Sequence, residues 1–239
     1  MDISQYKYKT ELHAHTSPCS ACSEIPPEEV VKNYAELGYT SVVISNHFNE
    51  IMPLYGDKEK SIPAYLDDYK RALNCADKYG INVILGCEIK FNDSFNDYLL
   101  FGIEEDLLYD AYDYFDKGIE TFSKWFRREG RLLIQAHPFR NAMTQAAPEL
   151  LDGIEVFNFH PHHNSRCSVA AQYAKEHNMI VTCGTDFHHP GHQGQVALLT
   201  KTPLTNSMEV AKVLKSRYYL FMTGDSFILP YGAQKNPEL

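Results

Sequence analysis

Residues 40–47 read TSVVISNH and residues 131–138 read RLLIQAHP. Each is a short apolar run with no polar alternation, closed by an imidazole. Such runs mark strands buried on both faces, the pattern of the parallel sheets in α/β folds. Similar runs recur along the whole chain. They are Tyr6–His15, NVILGCE at 82–88, DYLLFGI at 97–103, GIEVFN at 153–158, IVTCGTD at 180–186, VALLT at 196–200 and YYLFMT at 218–223. Amphipathic helical stretches separate them. One is opened by Pro26-Pro27 and two glutamates and stopped by Gly38, as helix end chemistry prescribes. A second runs over 62–79 with Gly80 as its cap, a third over 105–129 broken at Gly118, and others over 165–177 and 206–216. This alternation predicts an α/β fold with a largely parallel sheet. Seven or so β/α units in one chain of 239 residues suggest a closed or nearly closed barrel, read as a single domain over 1–239. The tail AQKNPEL at 233–239 is read as frayed.

Composition narrows the class. With 44% hydrophobic residues, 12 prolines and 13 glycines, the chain is neither disordered nor low-complexity. No apolar run approaches the length of a membrane span, and MDISQYKYKT lacks the apolar core of a secretory signal. Scattered cysteines without an export signal point to reduced thiols and a cytoplasmic setting. A net charge of −9 disfavours nucleic acid as the main partner unless something adds positive charge. Eleven histidines are one source of it, because imidazole is the commonest metal ligand.

Barrel enzymes place their chemistry at the C-terminal ends of the strands. Here those ends carry His13-Ala14-His15, Asn46-His47, Cys87-Glu88, Ala136-His137-Pro138, Asn158-Phe159-His160 and Asp186-Phe187-His188. Any one of these is unremarkable as a satisfied polar residue. Together they deliver imidazoles and carboxylates to one rim. Residues i and i+2 of a strand share a face, so His13 and His15 can share one ion, as can Asp186 and His188. Nitrogen donors mixed with carboxylates suit Zn, Mn or Fe rather than calcium, and Glu88 could bridge two ions.

The segments His13-Ala14-His15-Thr16, Ser45-Asn46-His47, Gly86-Cys87-Glu88, Ala136-His137-Pro138 and Gly184-Thr185-Asp186-Phe187-His188 resemble, in order, those of the PHP (polymerase and histidinol phosphatase) domain family. The resemblance implies a distorted (β/α)7 barrel of the PHP type with two or three divalent metal ions at its rim, and phosphoester hydrolysis by a metal-activated hydroxide. It implies one metal on His13, His15, Glu88 and Asp186, a second on Glu88 and His137, and a third on His47 and His188. Two positions depart from the pattern. Cys19-Ser20 replaces a Ser-Asp pair, and Tyr98 stands where many members have a histidine. Each change removes one ligand, so the ion count stays open between two and three, and His160 could substitute if its loop turns inward.

Arg140 and Arg166 either grip substrate phosphate oxygens or are solvated surface cations. His162, His163, His189 and His192 read as loop histidines near the rim. Cys19-x-x-Cys22 has no second cysteine pair and reads as structural or incidental. Cys87 and Cys183 read as core residues, as do Phe122, Trp125 and Phe126 at helical spacing. The expected activity is hydrolysis of a small phosphorylated metabolite or nucleotide. Glu88 and Asp186 would act at the metals, and His188 or His160 would protonate the leaving oxygen. The alternatives are an exonuclease-type phosphodiesterase on nucleic-acid ends and a metal-binding regulatory domain with a decayed site. The sequence leaves the oligomeric state open.

Overall fold

Two of the expected strands are each interrupted in the middle. Residues 40–47 form β2 (Ser41–Ile44) and, after a break, the chain resumes as β3 (His47–Phe48). Residues 82–88 likewise split into β4 (Asn82–Leu85) and β5 (Cys87–Lys90). The breaks face each other at Ser45-Asn46 and Gly86. Gly86 is required there, because a Cβ would lie 2.4 Å from Val43 Cγ1. The computed structural model describes residues 2–128 and 130–230; the tail at 233–239 and position 129 lie outside the described residues.

The remaining elements follow the expected order. They are β1 (Tyr8–Ala14), α1 (Pro27–Glu36), α2 (Lys58–Tyr79), β6 (Asp97–Phe101), α3 (Glu105–Tyr112), α4 (Gly118–Phe126) and β7 (Leu132–Gln135). Then come β8 (Gly153–Asn158), α5 (Cys167–Glu176), β9 (Ile180–Gly184), β10 (Ala197–Thr200), α6 (Ser207–Ser216), β11 (Leu220–Thr223) and β12 (Ser226–Ile228). Gly80 caps α2 with φ +66°, the left-handed conformation that glycine adopts without a steric penalty. α2 begins four residues before the expected start and so takes Pro63 into its interior.

The strands pair as two six-stranded sheets, β12-β11-β10-β1-β2-β4 and β3-β5-β6-β7-β8-β9. Both are mixed, which corrects the expectation of a largely parallel sheet. Parallel pairs join β1 to β2, β2 to β4, β3 to β5, β7 to β8 and β8 to β9. β6, by contrast, runs antiparallel to both β5 and β7. Residues 91–96 between β5 and β6 are too few for a crossover, which needs about a dozen.

Backbone hydrogen bonds also link the sheets. Gly86 N–H donates to Ile44 O at 2.9 Å and Glu88 N–H to Asn46 O at 3.1 Å. On the opposite flank, Ala14 and Phe187 form an isolated parallel bridge, with His15 N–H donating to Phe187 O at 3.0 Å. The two seams carry the residues singled out in the sequence. Asn46-His47 and Cys87-Glu88 line one, and His13-Ala14-His15 and Asp186-Phe187-His188 line the other.

Alternation on the central strands separates two cores. Val43, Ile84, Leu99, Ile134 and Val156 belong to one, which also takes Phe122 and Phe126 from α4. Val42, Ile44 and Val83 belong to the other, packed under Val30, Tyr34 and Ala72 of α1 and α2. Cys87 and Cys183 are buried in or beside these cores, and no described helix is long and apolar enough to cross a membrane.

Candidate metal centre

Glu88 sits at the start of β5, fully buried, with an imidazole on each of four sides. Its Oε1 lies 3.2 Å from His13 Nε2 and 3.2 Å from His137 Nε2. Its Oε2 lies 3.4 Å from His15 Nε2 and 2.7 Å from His47 Nδ1. Asp186 closes the arrangement, its Oδ1 3.5 Å from His13 Nε2, 3.4 Å from His15 Nε2 and 3.4 Å from His188 Nδ1. The Nε2 atoms of His13 and His15 are 3.0 Å apart, so the shared strand face expected of positions i and i+2 is realised. Among the described residues, three groupings have donor atoms close enough to share a cation: His13, His15 and Glu88; His15, His47 and His188; His47, Glu88 and Asp97.

The donor set fits divalent ions. Burying a carboxylate and several imidazoles without full hydrogen bonding is unfavourable, yet Glu88 Oε2, His47 Nδ1 and His137 Nδ1 are buried without a hydrogen-bond partner. Cations with nitrogen and carboxylate ligands satisfy such atoms. Charge couples the group as well. Burial disfavours the ionised forms of Glu88 and Asp186. His13 and His47 outweigh it at Glu88, and His13, His15 and Arg140 outweigh it at Asp186, so both carboxyls stay well below the ordinary range. Burial also opposes protonation of His13, but Glu155, Glu88 and Asp186 raise it well above the usual value. His15 moves the other way, through burial and then through His188 and His47. Two of these residues occupy the left-handed backbone region, His137 with φ +28° and Asp186 with φ +50°. Side chains other than glycine persist there only when surrounding structure holds them, and such strain gathers at functional sites.

Two groups at the centre, Asp97 and Glu155, escaped the sequence reading. Asp97 joins the His47–Glu88 grouping, with Oδ2 3.9 Å from His137 Nε2. Burial, and then the charge of Glu88, pushes its carboxyl up to about 6. Tyr98, at the position that departs from the family pattern, is buried and its hydroxyl accepts from Asn96 Nδ2 at 3.4 Å. Glu155 Oε1 lies 2.9 Å from His13 Nδ1, and its Oε2 accepts from His137 N–H at 3.1 Å. Burial opposes ionisation of the Cys22 thiol, but the His188 and His47 imidazoles outweigh it and bring the thiol down to about 6. Ser20, at the other departing position, has its hydroxyl 3.1 Å from His15 Nδ1 and donates to Asn46 Oδ1 at 3.0 Å.

The two arginines differ. Arg140 Nη2 donates to Asp186 Oδ2 and to Asn158 Oδ1, while its Nε is buried without a partner. Arg166 caps α5 and is exposed; it donates to Phe139 O and, at 2.7 Å, to Asn141 Oδ1. His160 is buried beside the centre, its ring 5.7 Å from that of His188. Burial lowers it to about 3, and its Nδ1 accepts from His162 N–H at 3.3 Å. His162, His189 and His192 cluster with it, the His192 ring 5.5 Å from His160, 5.1 Å from His162 and 5.3 Å from His189.

Comparison with solved structures places the fold among similar ones. A two-domain protein from Bacteroides vulgatus, described as containing a predicted PHP-like metal-dependent phosphoesterase, superposes with TM-score 0.63 at 18% identity. That match covers 90% of this chain and 64% of the Bacteroides protein, so the chain spans less than two thirds of it. PsfC from Pseudomonas syringae gives TM-score 0.60 at 13% identity, covering 90% of this chain and 91% of its own. An amidohydrolase from Chromobacterium violaceum, with bound sulfate and no metal, gives 0.54 at 15% identity, covering 94% and 99%. No curated protein matches. The PHP domain family matches residues 11–229, which is most of the chain and contains every residue of the centre. The chain belongs to the PHP domain family.

Proposed function

We propose that the chain is a metal-dependent phosphoesterase that hydrolyses a small phosphorylated metabolite or nucleotide. The observation that carries this reading is Glu88, a buried carboxylate faced by His13, His15, His47 and His137. His13, His15, Glu88 and Asp186 would hold one divalent ion, Glu88 and His137 with Asp97 a second, and His47 and His188 a third. Zn, Mn and Fe all suit such donors. When bound, these ions supply Lewis acidity that lowers the pKa of water and balances charge on phosphoryl oxygens.

The chain's own groups do the rest. Glu155 fixes the His13 ring, and the Ser20 hydroxyl meets His15 on its Nδ1 side, so the Nε2 atoms point inward. Arg140, held by Asp186 and Asn158, offers its unpartnered Nε–H to a phosphate oxygen. Arg166 fastens the loop that carries Arg140 through Phe139 and Asn141. His160, neutral and with Nδ1 accepting from His162, carries its proton on Nε2 and can hydrogen-bond the leaving oxygen.

A distorted (β/α)7 barrel over a single 1–239 unit belongs to the same reading. It is supported by the bonds from Gly86 to Ile44 and from Glu88 to Asn46, and by the Ala14–Phe187 bridge. Those contacts link the β2–β4 side of one sheet to the β3–β5 side of the other, and β1 to the segment after β9, the two links that closure of such a barrel would need. The acidic charge of −9 favours a small phosphoester over a polynucleotide.

A panel of phosphorylated metabolites and nucleotides, assayed separately with zinc, manganese and iron, tests the proposal. Turnover of at least one substrate is expected, abolished in the double variant His15→Ala, Asp186→Ala. Phosphoester turnover at the wild-type rate by that variant would overturn it.

A further inference from the structure

We propose that a cleft lined by Lys124, Arg127, Arg128, Arg131 and Lys215, at the other end of the strands from the metal centre, binds a small polyphosphate anion. The proposal stands independently of the metal-dependent reading.

The cleft has a volume of about 550 Å³ and lies between α4, the turn that leads into β8 and the end of α6. Its five cations face two carboxylates, Glu149 and Asp152. Arg131 immediately precedes β7 and Asp152 immediately precedes β8, so both stand where those strands begin. His137 comes six residues after Arg131. At about 3.3 Å per residue of extended chain, the cleft is roughly 20 Å from the metal centre.

Hydrogen bonds fix its walls. The Ser123 hydroxyl donates to Leu150 O at 2.6 Å, tying α4 to the turn. Asp152 Oδ1 accepts from both Nε and Nη2 of Arg127 at 3.1 Å, and its Oδ2 accepts from Leu133 N–H at 2.9 Å. Arg127 also donates through Nη1 to Glu149 O. Asp152 thus neutralises one cation and holds it in place. Arg131 N–H donates to Arg128 O at 3.1 Å, which keeps these two arginines together at one edge.

Four cations remain. Among the described residues, Lys124, Arg128, Arg131 and Lys215 form no ion pair. Arg131 instead sets its guanidinium over aromatic rings, 6.0 Å from the centroid of Trp125 and 5.8 Å from that of Phe126. A guanidinium over an aromatic face keeps its edge donors free for an anion. In a chain of net charge −9, a concave cluster of this kind focuses a local positive field. Arginine forks pair with phosphate oxygens, and lysines add point charges. The volume suits a ligand of nucleotide size. An extended polyanion would have to continue over acidic surface, so the charge balance favours a compact ligand with two or more phosphates.

Inorganic tripolyphosphate is the probe, titrated into the full chain by calorimetry without added divalent metal. Trp125 is the single tryptophan of the chain, so its fluorescence reports on the Arg131 edge of the cleft. Saturable binding with a change in Trp125 emission is expected, weakening as salt rises. Lys124 and Lys215 are both exposed, so the double variant Lys124→Glu, Lys215→Glu keeps the fold. It should bind at least about 10-fold more weakly, because each reversal turns an attraction into a repulsion. The metal-centre variant His15→Ala, Asp186→Ala should bind as the wild type does. No saturable binding, binding silent at Trp125, or binding that survives the two charge reversals would overturn the proposal. Loss of binding in the metal-centre variant with its circular dichroism unchanged would place the anion at the metal centre and overturn it equally. Tighter binding of a single-stranded oligonucleotide than of tripolyphosphate would make the cleft part of a nucleic-acid surface instead.

Discussion

Glu155 Oε1 lies 2.9 Å from Nδ1 of His13, and neither side chain is exposed to solvent. A carboxylate on the far nitrogen of an imidazole fixes its tautomer and makes its other nitrogen a better ligand. The same carboxylate accepts from His137 N–H at 3.1 Å and from Asn158 Nδ2 at 2.9 Å. It thereby holds one candidate ligand by its ring, a second by its strained backbone, and the amide that steadies Arg140. Glu155→Gln keeps the shape and loses the charge. Metal affinity, measured by competition with a chromophoric chelator, is expected to fall about 10- to 100-fold with the circular dichroism spectrum unchanged. Unaltered affinity would refute the positioning role.

Gly184 ends β9 directly behind this pair. A Cβ there would lie 2.4 Å from His13 Cβ and 2.7 Å from Glu155 Oε1. Gly184→Ala must therefore push His13 or Glu155 out of place. Overpacking of this kind destabilises by about 1–3 kcal/mol. A urea melt shifted by that amount, with fewer ions bound per chain, is the expected result.

The parts of the centre that were legible in the sequence are those delivered by one geometric rule. His13, His15, His47, Glu88, Asp186 and His188 follow strands whose C-terminal ends reach the rim, so looking at those ends finds them. Asp97 is invisible to that rule, because β6 runs antiparallel and brings its first residue to the rim. Glu155 lies inside the apolar run GIEVFN, where the lone buried charge was the available signal. The split of two long strands at Ser45-Asn46 and Gly86 left no trace in hydrophobicity, since both halves are apolar; only the glycine hinted at it. Element order needed local patterns alone, whereas pairing direction depended on whether a short connection forced a hairpin.

Arg140 and Arg166 should separate in function. Arg140 touches Asp186 and has a buried, unpartnered Nε. Removing one preorganised donor to developing phosphoryl charge costs roughly 10²- to 10³-fold in rate. Arg140→Ala is expected to lose about that much kcat/KM on whichever phosphoester is turned over. Arg166 is exposed and bonds to Phe139 O and Asn141, so Arg166→Ala should lose less than about 10-fold, within the range of a single exposed hydrogen-bonding group. Equal losses in steady-state kinetics would contradict this division.

Glu11 lies beneath the centre, buried, accepting from His13 N–H at 2.9 Å and Thr185 N–H at 3.0 Å on one oxygen. The hydroxyls of Tyr34 and Thr185 donate to its other oxygen at 2.9 and 2.8 Å. Burial outweighs these bonds and raises its carboxyl from 4.5 to about 7. An unfolded chain releases this proton near 4.5, whereas the folded chain keeps it until about 7. Between those values the native state binds more protons, so stability falls as pH rises. The contribution is fully present below 4.5 and gone above about 7, a loss of about 3 kcal/mol at 1.36 kcal/mol per pKa unit. Gln at this position does not titrate. Urea unfolding of the chelator-treated wild type and Glu11→Gln, compared across that range, should show the wild type losing about 3 kcal/mol relative to the variant as pH rises. A stability difference flat with pH would mean that the donors from His13, Thr185 and Tyr34 keep Glu11 ionised throughout.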